Sequence, residues 1–194
     1  IDVSRYPLPE QEAEAKAKRR LGLGITGLAD ALLFCGAAYG SDTGVAMTER
    51  WLGVIRKAAY RTSALLAKEK GAFPLYDPAI LQQPNLRALD EETRALIAEH
   101  GLRNGCLTSI APTGTTSLLA GNVSSGIEPV FAYSYQRRIL NPDGTERHEM
   151  VEDYALHVWR QLKGDAVPPE ELFVSAQSLD PATHVRMQAA AQTL

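Results

Sequence analysis

The feature that most constrains the fold is the stretch from Thr108 to Ser117, where an apolar segment runs directly into a turn rich in hydroxyl side chains. The apolar run over residues 107–111 predicts a short buried strand. The turn consists of Pro112, Thr113, Gly114, Thr115, Thr116 and Ser117, and the apolar pair Leu118-Leu119 after it predicts the start of a helix. A strand, a turn and a helix in succession predict an α/β protein.

This turn is also the strongest candidate for a binding site. A strand-to-helix turn points backbone N–H groups and short hydroxyls at one place, and a helix N-terminus adds about half a positive charge, so phosphate is the natural ligand. A capped turn without any ligand explains the same residues, because Ser and Thr are common helix caps. Spacing alone does not decide between these two interpretations. Downstream, Glu128 lies between Gly126 and Pro129, where a constrained backbone could orient a loop or a ligand.

Periodicity outlines the rest of the chain. Helices are predicted over residues 11–20, 28–34, 41–71, 90–100 and 146–163, with Gly36, Gly71 and Gly101 as stop signals. Three prolines predict a loop over residues 73–85, and residues 129–140 are predicted to be extended up to a turn at 141–144. No internal repeat or long linker divides the sequence, so one α/β unit is the simplest interpretation.

Composition excludes several classes of protein. With 45% apolar and 22% charged residues the chain is typical of a globular protein. A net charge of -3 argues against a broad basic face, so we expect no nucleic-acid partner. No apolar run approaches the roughly 20 residues that span a bilayer, and residues 1–10 do not resemble a signal peptide, so no membrane partner is expected. Two separate cysteines fit a cytoplasmic location.

Other candidate sites are interpreted as structural. Gly22, Gly24 and Gly27 match a dinucleotide-binding fingerprint in spacing but lack a complete βαβ context, so a packing role is predicted. Cys35 and Cys106 are predicted to be small packing residues. The histidines show no metal-ligand spacing, so surface positions on helices and no metal site are predicted for His100, His148, His157 and His184.

Three segments resemble ribonucleotide reductases, most closely the adenosylcobalamin-dependent class in its bacterial diphosphate form. They are KRRLGLGITGLAD at residues 18–30, EKGAFP at 69–74, and the region from RN at 103–104 to PVFAY at 129–133. The resemblance implies a ten-stranded α/β barrel, of which residues 1–194 would be a single partial domain: the later half, truncated at both ends, helix-rich and with few short strands. It also implies that Pro112, Thr113, Gly114, Thr115 and Thr116, with Ser117 adjacent, bind the substrate's phosphates, and that Gly126 and Glu128 form scaffold near that site.

By the same resemblance, the full enzyme would convert ribonucleoside diphosphates to 2'-deoxyribonucleotides by a thiyl-radical mechanism. It would use adenosylcobalamin, a thioredoxin-type reductant and the remaining part of the reductase chain. The family's radical loop has the pattern Asn-x-Cys-x-Glu, and residues 104–108 depart from it because Thr108 replaces the glutamate. We therefore expect no catalytic residue among these 194 residues and no activity from them alone. The alternatives are a non-catalytic nucleotide- or phosphate-binding subunit of a split reductase, and an unrelated helical α/β protein with a capped turn.

Overall fold

Helices dominate the computed structural model, which describes residues 1–192. In chain order the elements are α1 (Pro9–Lys18), α2 (Leu28–Phe34), α3 (Asp42–Lys70), a 3-10 helix (Pro78–Gln82), α4 (Pro84–Arg87), α5 (Glu91–His100), α6 (Gly114–Leu119), β1 (Ser134–Leu140), β2 (Glu146–Glu152), α7 (Tyr154–Lys163) and α8 (Pro181–Ala191). The prediction of a helix-rich fold with few short strands is confirmed. The strands named within residues 1–192 form one two-stranded antiparallel sheet and no closed barrel.

The chain divides into two compact units, the first made of Ile1–Gly24 and Arg50–Ser109, the second of Ile25–Glu49 and Ile110–Gln192. The prediction that residues 1–194 form a single partial domain refers to the complete barrel, and it stays a prediction. No helix in residues 1–192 combines the length and the apolar character needed to cross a membrane.

The first unit is built around an apolar core. Its buried members are Tyr60, Ala64, Phe73, Leu86, Leu89, Ile97, Leu102 and Leu107. Helix α5 contributes Ile97, which is fully buried, and burial of such a side chain stabilises the fold by about 1.5–3 kcal/mol. Asp90 starts α5 by accepting a hydrogen bond from the Thr93 amide at 3.2 Å, and Gly101 ends the helix at a φ of 76°. The predicted helix at 90–100 is confirmed.

Two short extended segments pair in parallel in the first unit. Leu21 N donates to Cys106 O at 2.8 Å, Leu23 N to Leu107 O at 2.9 Å, and Ser109 N to Leu23 O at 3.0 Å. These bonds amount to one isolated bridge between Leu23 and Thr108. The prediction of a buried strand over residues 107–111 is therefore wrong in its extent, because the ladder stops at residue 109 and residues 109–111 are exposed.

The glycines of the dinucleotide-like pattern serve packing. A Cβ atom on Gly22 would lie 2.8 Å from Ser109 Oγ, and one on Gly24 would lie 2.8 Å from Ser109 O. A side chain at either position would collide with the neighbouring segment. In the second unit, Gly27 lies at the N-cap of α2 with a φ of 79°, in the left-handed region that glycine enters most easily. The predicted packing role is confirmed for Gly22 and Gly24.

The second unit packs α2 against α7. The buried face of α2 carries Leu28, Leu32 and Leu33, and α7 buries Ala155 and Leu156. Helix α7 keeps its polar side chains on the opposite, exposed face, as expected for an amphipathic helix at a core, whereas Asp30, the one polar residue of α2, is buried. This packing brings the start of α2 and the start of α7 into the same unit as the predicted phosphate-binding turn.

A β-hairpin replaces half of one predicted helix. Strands β1 and β2 pair antiparallel from Ser134↔Glu152 to Leu140↔Glu146, and the predicted turn at 141–144 is confirmed by the bond from Gly144 N to Asn141 O at 3.0 Å. The predicted helix at 146–163 is wrong over residues 146–152. Their charged residues are compatible with a helix, but the turn folds them back onto β1, and Asp153 then caps α7.

Two further predictions are wrong. The predicted loop at 73–85 contains the 3-10 helix and the start of α4, each beginning with a proline, a residue whose fixed φ suits the first helical position. Cys35 and Cys106 are exposed and do not fill a core. Cys35 follows the last residue of α2, and Cys106 precedes the buried Leu107, so in an extended segment its side chain points to the opposite side.

Candidate functional site

The predicted phosphate-binding turn begins with an unusual backbone conformation. Thr113, the N-cap of α6, has φ 53° and ψ 20°, a left-handed conformation that non-glycine residues rarely adopt. The first helical bond is made by Ser117 N, which donates to Thr113 O at 2.7 Å. Within residues 1–192, the amides of Gly114, Thr115 and Thr116 have no hydrogen-bond acceptor. Three neighbouring N–H groups are thus available to a ligand.

A cluster of three hydroxyls lies behind the turn, formed by Thr26, Thr113 and Ser117. Thr113 Oγ1 donates to Thr26 Oγ1 at 2.9 Å, and Thr26 Oγ1 lies 2.7 Å from Ser117 Oγ. Gly126 N donates to Thr113 Oγ1 at 2.7 Å. The hydroxyl of Thr113 is therefore engaged within the protein and does not face a ligand.

Ser124 joins this cluster to helix α2. Its carbonyl oxygen accepts hydrogen bonds from Gly27 N at 2.7 Å and Thr26 Oγ1 at 3.0 Å. Its own amide donates to Asp30 Oδ2 at 2.7 Å, and its hydroxyl accepts from Ala29 N at 3.1 Å. The backbone around Ser124 is fixed on both sides by α2.

A cavity of about 520 Å³ opens beside the turn. Its lining includes Gly114, Thr115 and Ser117 from the turn, the segment from Asn122 to Ser125, the segment from Glu128 to Ala132, and Tyr135, Arg137 and Asp153. This volume lies within the range of about 300–1,000 Å³ that is typical of small-molecule sites. The free amides and the cavity therefore share one face of the second unit.

Two buried carboxyl groups meet at the edge of this cavity. Asp30 and Asp153 are 2% and 3% exposed, and Ala155 N donates to Asp30 Oδ1 at 3.2 Å and to Asp153 Oδ1 at 2.9 Å. Burial and the neighbouring charge of Asp30 together raise the pKa of Asp153 to about 7. Asp153 is therefore partly protonated at neutral pH and carries less negative charge than a free carboxylate.

Gly126 and Glu128 lie where the sequence analysis expects scaffold. A Cβ atom on Gly126, whose φ is 52°, would lie 2.6 Å from Ala111 O, so only glycine lets the two segments approach this closely. Glu128 is exposed at the cavity. Burial raises the pKa of Tyr39 to about 12, with the charge of Glu128 acting in the same direction, and the phenol donates to Ile127 O at 2.6 Å.

The structure sorts the predicted site residues into three groups. Gly114, Thr115, Ser117 and Glu128 line the cavity. Pro112 and Thr116 are exposed without lining it, and Thr113 and Gly126 support the turn from behind.

Five residues at the site were missed by the sequence analysis: Thr26, Asp30, Ser124, Arg137 and Asp153. Thr26 and Asp30 lie in the 18–30 segment that carries the family resemblance, which could have drawn attention to them. Ser124 lies in an unremarkable Ser/Gly run. Arg137 and Asp153 carry no signal in the sequence, because their position depends on a hairpin that the periodicity did not indicate.

A second cavity, of about 420 Å³, lies within the first unit. Its walls are mainly aliphatic, with Leu21, Ile55 and Leu66 among them. Its buried polar members, Ser63 and Asn104, are hydrogen-bonded to each other at 3.1 Å, and its third polar member, Thr62, is exposed. It offers a ligand no free cluster of donors or acceptors comparable to the turn at α6.

No three His, Cys, Asp or Glu side chains within residues 1–192 come together in a geometry that could hold a metal ion. His148 lies on β2 and not on the predicted helix, while His100, His157 and His184 lie on helices.

Comparison with known proteins places the chain in a family. A family model described as the ribonucleotide reductase barrel domain matches residues 1–194. The vitamin B12-dependent ribonucleoside-diphosphate reductase of Mycobacterium tuberculosis (strain CDC 1551 / Oshkosh) is 36% identical over 210 residues, covering 99% of this chain and 28% of that protein. The protein of the same name from Thermoplasma acidophilum is 30% identical over 208 residues, covering 99% of this chain and 25% of that protein.

A ribonucleoside-diphosphate reductase subunit alpha from Treponema pallidum is 31% identical over 137 residues, covering 67% of this chain and 16% of that protein. The chain thus spans about a quarter of the length of the vitamin B12-dependent relatives it matches. The resemblance stated from the sequence is confirmed. Since the match extends over residues 1–194, the chain belongs to the ribonucleotide reductase family and corresponds to part or all of its barrel domain.

Proposed function

We propose that this chain is the substrate-phosphate-binding portion of a vitamin B12-dependent ribonucleoside-diphosphate reductase. The observation that carries the proposal is the row of free amides at Gly114, Thr115 and Thr116 beside the 520 Å³ cavity. Amides at the start of a helix point at a ligand and favour negative charge. The diphosphate would accept hydrogen bonds from these amides and from the hydroxyls of Thr115 and Thr116.

The charges around the cavity support binding through neutral donors. Among the residues lining it, Arg137 is the one Lys or Arg, while Glu128 and Asp153 are acidic. A proton held by the buried Asp153 reduces the repulsion that a diphosphate would meet. Affinity in this arrangement depends on the number of oriented N–H groups and much less on a cluster of cations.

The whole enzyme, in this proposal, replaces the ribose 2'-hydroxyl with hydrogen by a thiyl-radical mechanism, in the cytoplasm and with a thioredoxin-type reductant. The 194 residues contribute the position of the substrate and no reacting group. A displacement of about 1 Å at a reacting centre can lower the rate about a hundredfold. Tight binding of the diphosphate would therefore matter, because it fixes the position of the ribose relative to the radical. The remaining part of the reductase chain supplies the chemistry.

We also propose that this region forms the later half of a ten-stranded α/β barrel. The parallel pairing of Leu23 with Thr108 supports this, because parallel strands are typical of α/β barrels with helical connections. In the complete enzyme, further strands would extend this short pairing into a sheet.

Adenosylcobalamin is proposed for the complete enzyme and not for a site within this chain. The residues described do not fit the cofactor: the two cavities of about 420 and 520 Å³ suit an ordinary small molecule, and a corrin ring with its side chains is larger. We assign no step of the reaction to cofactor contacts in this region.

The substitution Gly114→Val in the full-length reductase tests the proposal. A Cβ atom at Gly114 would have no neighbour within 4 Å and the residue has no positive φ, so the substitution leaves the fold intact while placing methyl groups beside the free amides. We expect the Kd for ADP and CDP, measured by calorimetry, to rise at least about tenfold, or about 1.4 kcal/mol. Gly53→Val on α3, where a Cβ atom also has no neighbour within 4 Å, is the matched control. Unchanged affinity in Gly114→Val would refute the phosphate-binding role.

A further inference from the structure

The β1–β2 hairpin carries three arginines, and they differ in whether they have a partner. Arg138 pairs with Glu146 at 3.1 Å, and Arg147 pairs with Glu149 at 3.3 Å. Arg137 lies directly opposite Glu149 in the hairpin register, but that carboxylate is paired with Arg147 of its own strand. The guanidinium of Arg137 has no ion pair and no hydrogen bond within the described part of the chain. One cation of the hairpin is thus left without a partner.

The direction of the Arg137 side chain follows from the geometry of β1. Side chains alternate along a strand, so Tyr135 and Arg137 share one face and Arg138 lies on the other. Tyr135 and Arg137 both line the 520 Å³ cavity, and Arg138 does not. Tyr133 precedes the strand, and its phenol donates to Val174 O at 3.0 Å, which fixes the chain at the start of β1. The arginine without a partner is therefore the one on the cavity side of the strand.

The acidic groups at the cavity do not satisfy Arg137 either. Glu128 and Asp153 line the cavity, and neither is paired with the guanidinium. Asp153 is 3% exposed and accepts from Ala155 N at 2.9 Å. Burial and the neighbouring charge of Asp30 raise the pKa of Asp153 to about 7, so this carboxyl is partly protonated at neutral pH. A guanidinium with its N–H donors unused is suited to charge-assisted hydrogen bonds with phosphate oxygens.

We infer that Arg137 is a substrate-binding residue, whose guanidinium donates to the diphosphate of a nucleotide that occupies the 520 Å³ cavity. The inference deepens the proposed function and rests on it in one respect, that the substrate's diphosphate lies in this cavity. It makes no use of the amides of α6. It adds the β1–β2 hairpin to the parts of the chain on which substrate affinity depends.

The test compares Arg137→Gln with Arg138→Gln in the full-length reductase. Both substitutions remove one positive charge from β1 and keep a polar side chain, but only the first changes the lining of the cavity. We expect the Kd for ADP and CDP, measured by calorimetry, to rise about five- to twentyfold in Arg137→Gln, as for the loss of a charge-assisted hydrogen bond from an exposed cation. It should stay within about twofold in Arg138→Gln, which loses an exposed surface ion pair.

Two further measurements separate contact with phosphate from a structural role. The Kd of the unmodified protein should rise with ionic strength, and this dependence should be weaker in Arg137→Gln because one ionic contact is missing. An equal salt dependence in the two proteins would overturn the inference. Arg137→Lys keeps the charge and loses the planar donor group, so its Kd should rise less than that of Arg137→Gln. A Kd as high as that of Arg137→Gln would show that the charge of Arg137 does not act on the diphosphate.

The fold should tolerate these substitutions, because the side chain of Arg137 is exposed and has no partner within residues 1–192. Thermal unfolding of Arg137→Gln and Arg138→Gln checks this. Should Arg137→Gln fold poorly, the salt dependence of Kd in Arg137→Lys decides: it should equal that of the unmodified protein, and a weaker dependence would overturn the role of the charge.

The outcomes distinguish this inference from the function on which it rests. A loss of diphosphate affinity in Gly114→Val with normal affinity in Arg137→Gln would refute the role of Arg137 and keep the phosphate-binding turn. A loss in Arg137→Gln with normal affinity in Gly114→Val would keep Arg137 at the diphosphate and refute the turn. Normal affinity in both variants would refute both.

Discussion

The two units each contain a cavity of similar size, yet the polar groups at the two cavities differ in how they are hydrogen-bonded. In the first unit, Ser63 and Asn104 at the 420 Å³ cavity bond to each other, and Asn104 also donates to Arg19 O at 2.9 Å. In the second unit, Thr26 and Thr113 bond to each other beside the 520 Å³ cavity and leave the amides of α6 free. The first network borders a mainly aliphatic cavity, and the second borders backbone amides that have no acceptor within residues 1–192.

The difference teaches that the presence of a cavity says little about function. At a mainly apolar cavity, buried polar groups such as Ser63 and Asn104 pair with each other, because buried polar groups without partners would be costly. A cavity beside backbone donors with no partner within residues 1–192 has an interaction left to make. The comparison predicts that substitutions in the first unit change stability and that those around α6 change substrate affinity.

The largest expected effect comes from the core of the first unit. Ile97→Ala removes a fully buried side chain from the apolar cluster and should lower the free energy of unfolding of the full-length reductase by about 2–5 kcal/mol. Urea denaturation measures this loss. The matched control is Val54→Ala on α3, where the side chain is 64% exposed and the loss should be below about 0.5 kcal/mol.

The variant Ile97→Ala also tests whether the first unit takes part in substrate binding. Diphosphate affinity of folded Ile97→Ala should equal that of the unmodified protein, because the residue belongs to the packing core of the first unit. A several-fold change in Kd would mean that the first unit takes part in substrate binding.

The sequence predicted the helices well because their signals are local. The long stripe from Val45 to Leu66 and the caps at Asp90 and Gly101 depend only on neighbours three or four residues away, and α3 and α5 follow them closely. The prediction failed for strand β2 because Glu146–Glu152 is mostly exposed and about half charged, so its conformation depends on a partner strand that only the fold supplies.

The residues of the candidate site also divide into those that the sequence predicted and those that it did not. The turn from Pro112 to Ser117 is contiguous, so its composition and family resemblance were enough to select it. Thr26, Asp30 and Asp153 reach the site through contacts that join residues about 90 to 125 positions apart, and no periodicity encodes such pairings. Supporting residues of this kind become visible only when the hydrogen bonds are known.

A pH-dependent effect of intermediate size is expected in the second unit. The pKa of Asp153 is raised to about 7, so its protonated form stabilises the folded state fully below about pH 4, the usual value for the unfolded chain, and this contribution is lost as the pH rises to about 7. Asp153→Asn mimics the protonated carboxyl and still caps α7. Its free energy of unfolding relative to the unmodified protein should therefore rise from pH 4 to pH 7 and then level off.

Since one pKa unit corresponds to about 1.4 kcal/mol, a rise of about three units sets an upper limit of about 4 kcal/mol on this gain above pH 7. Thermal unfolding of the full-length protein at pH 5 and pH 8 measures it. Asp180→Asn, a change of the same kind at the exposed N-cap of α8, is the control. A flat difference for Asp153→Asn would contradict the raised pKa of Asp153.

The smallest effect concerns the hydrogen bonds between Ser63 and Asn104 in the first unit. Ser63 is 2% exposed, donates to Asn104 Oδ1 at 3.1 Å and accepts from Asn104 N at 3.2 Å. Ser63→Ala should lower the free energy of unfolding by about 1 kcal/mol, because a buried amide loses its acceptor while alanine slightly favours the helix. Calorimetry should show unchanged Kd for ADP and CDP. A several-fold higher Kd for diphosphate in Ser63→Ala would show that the hydrogen bonds between Ser63 and Asn104 also support the binding site.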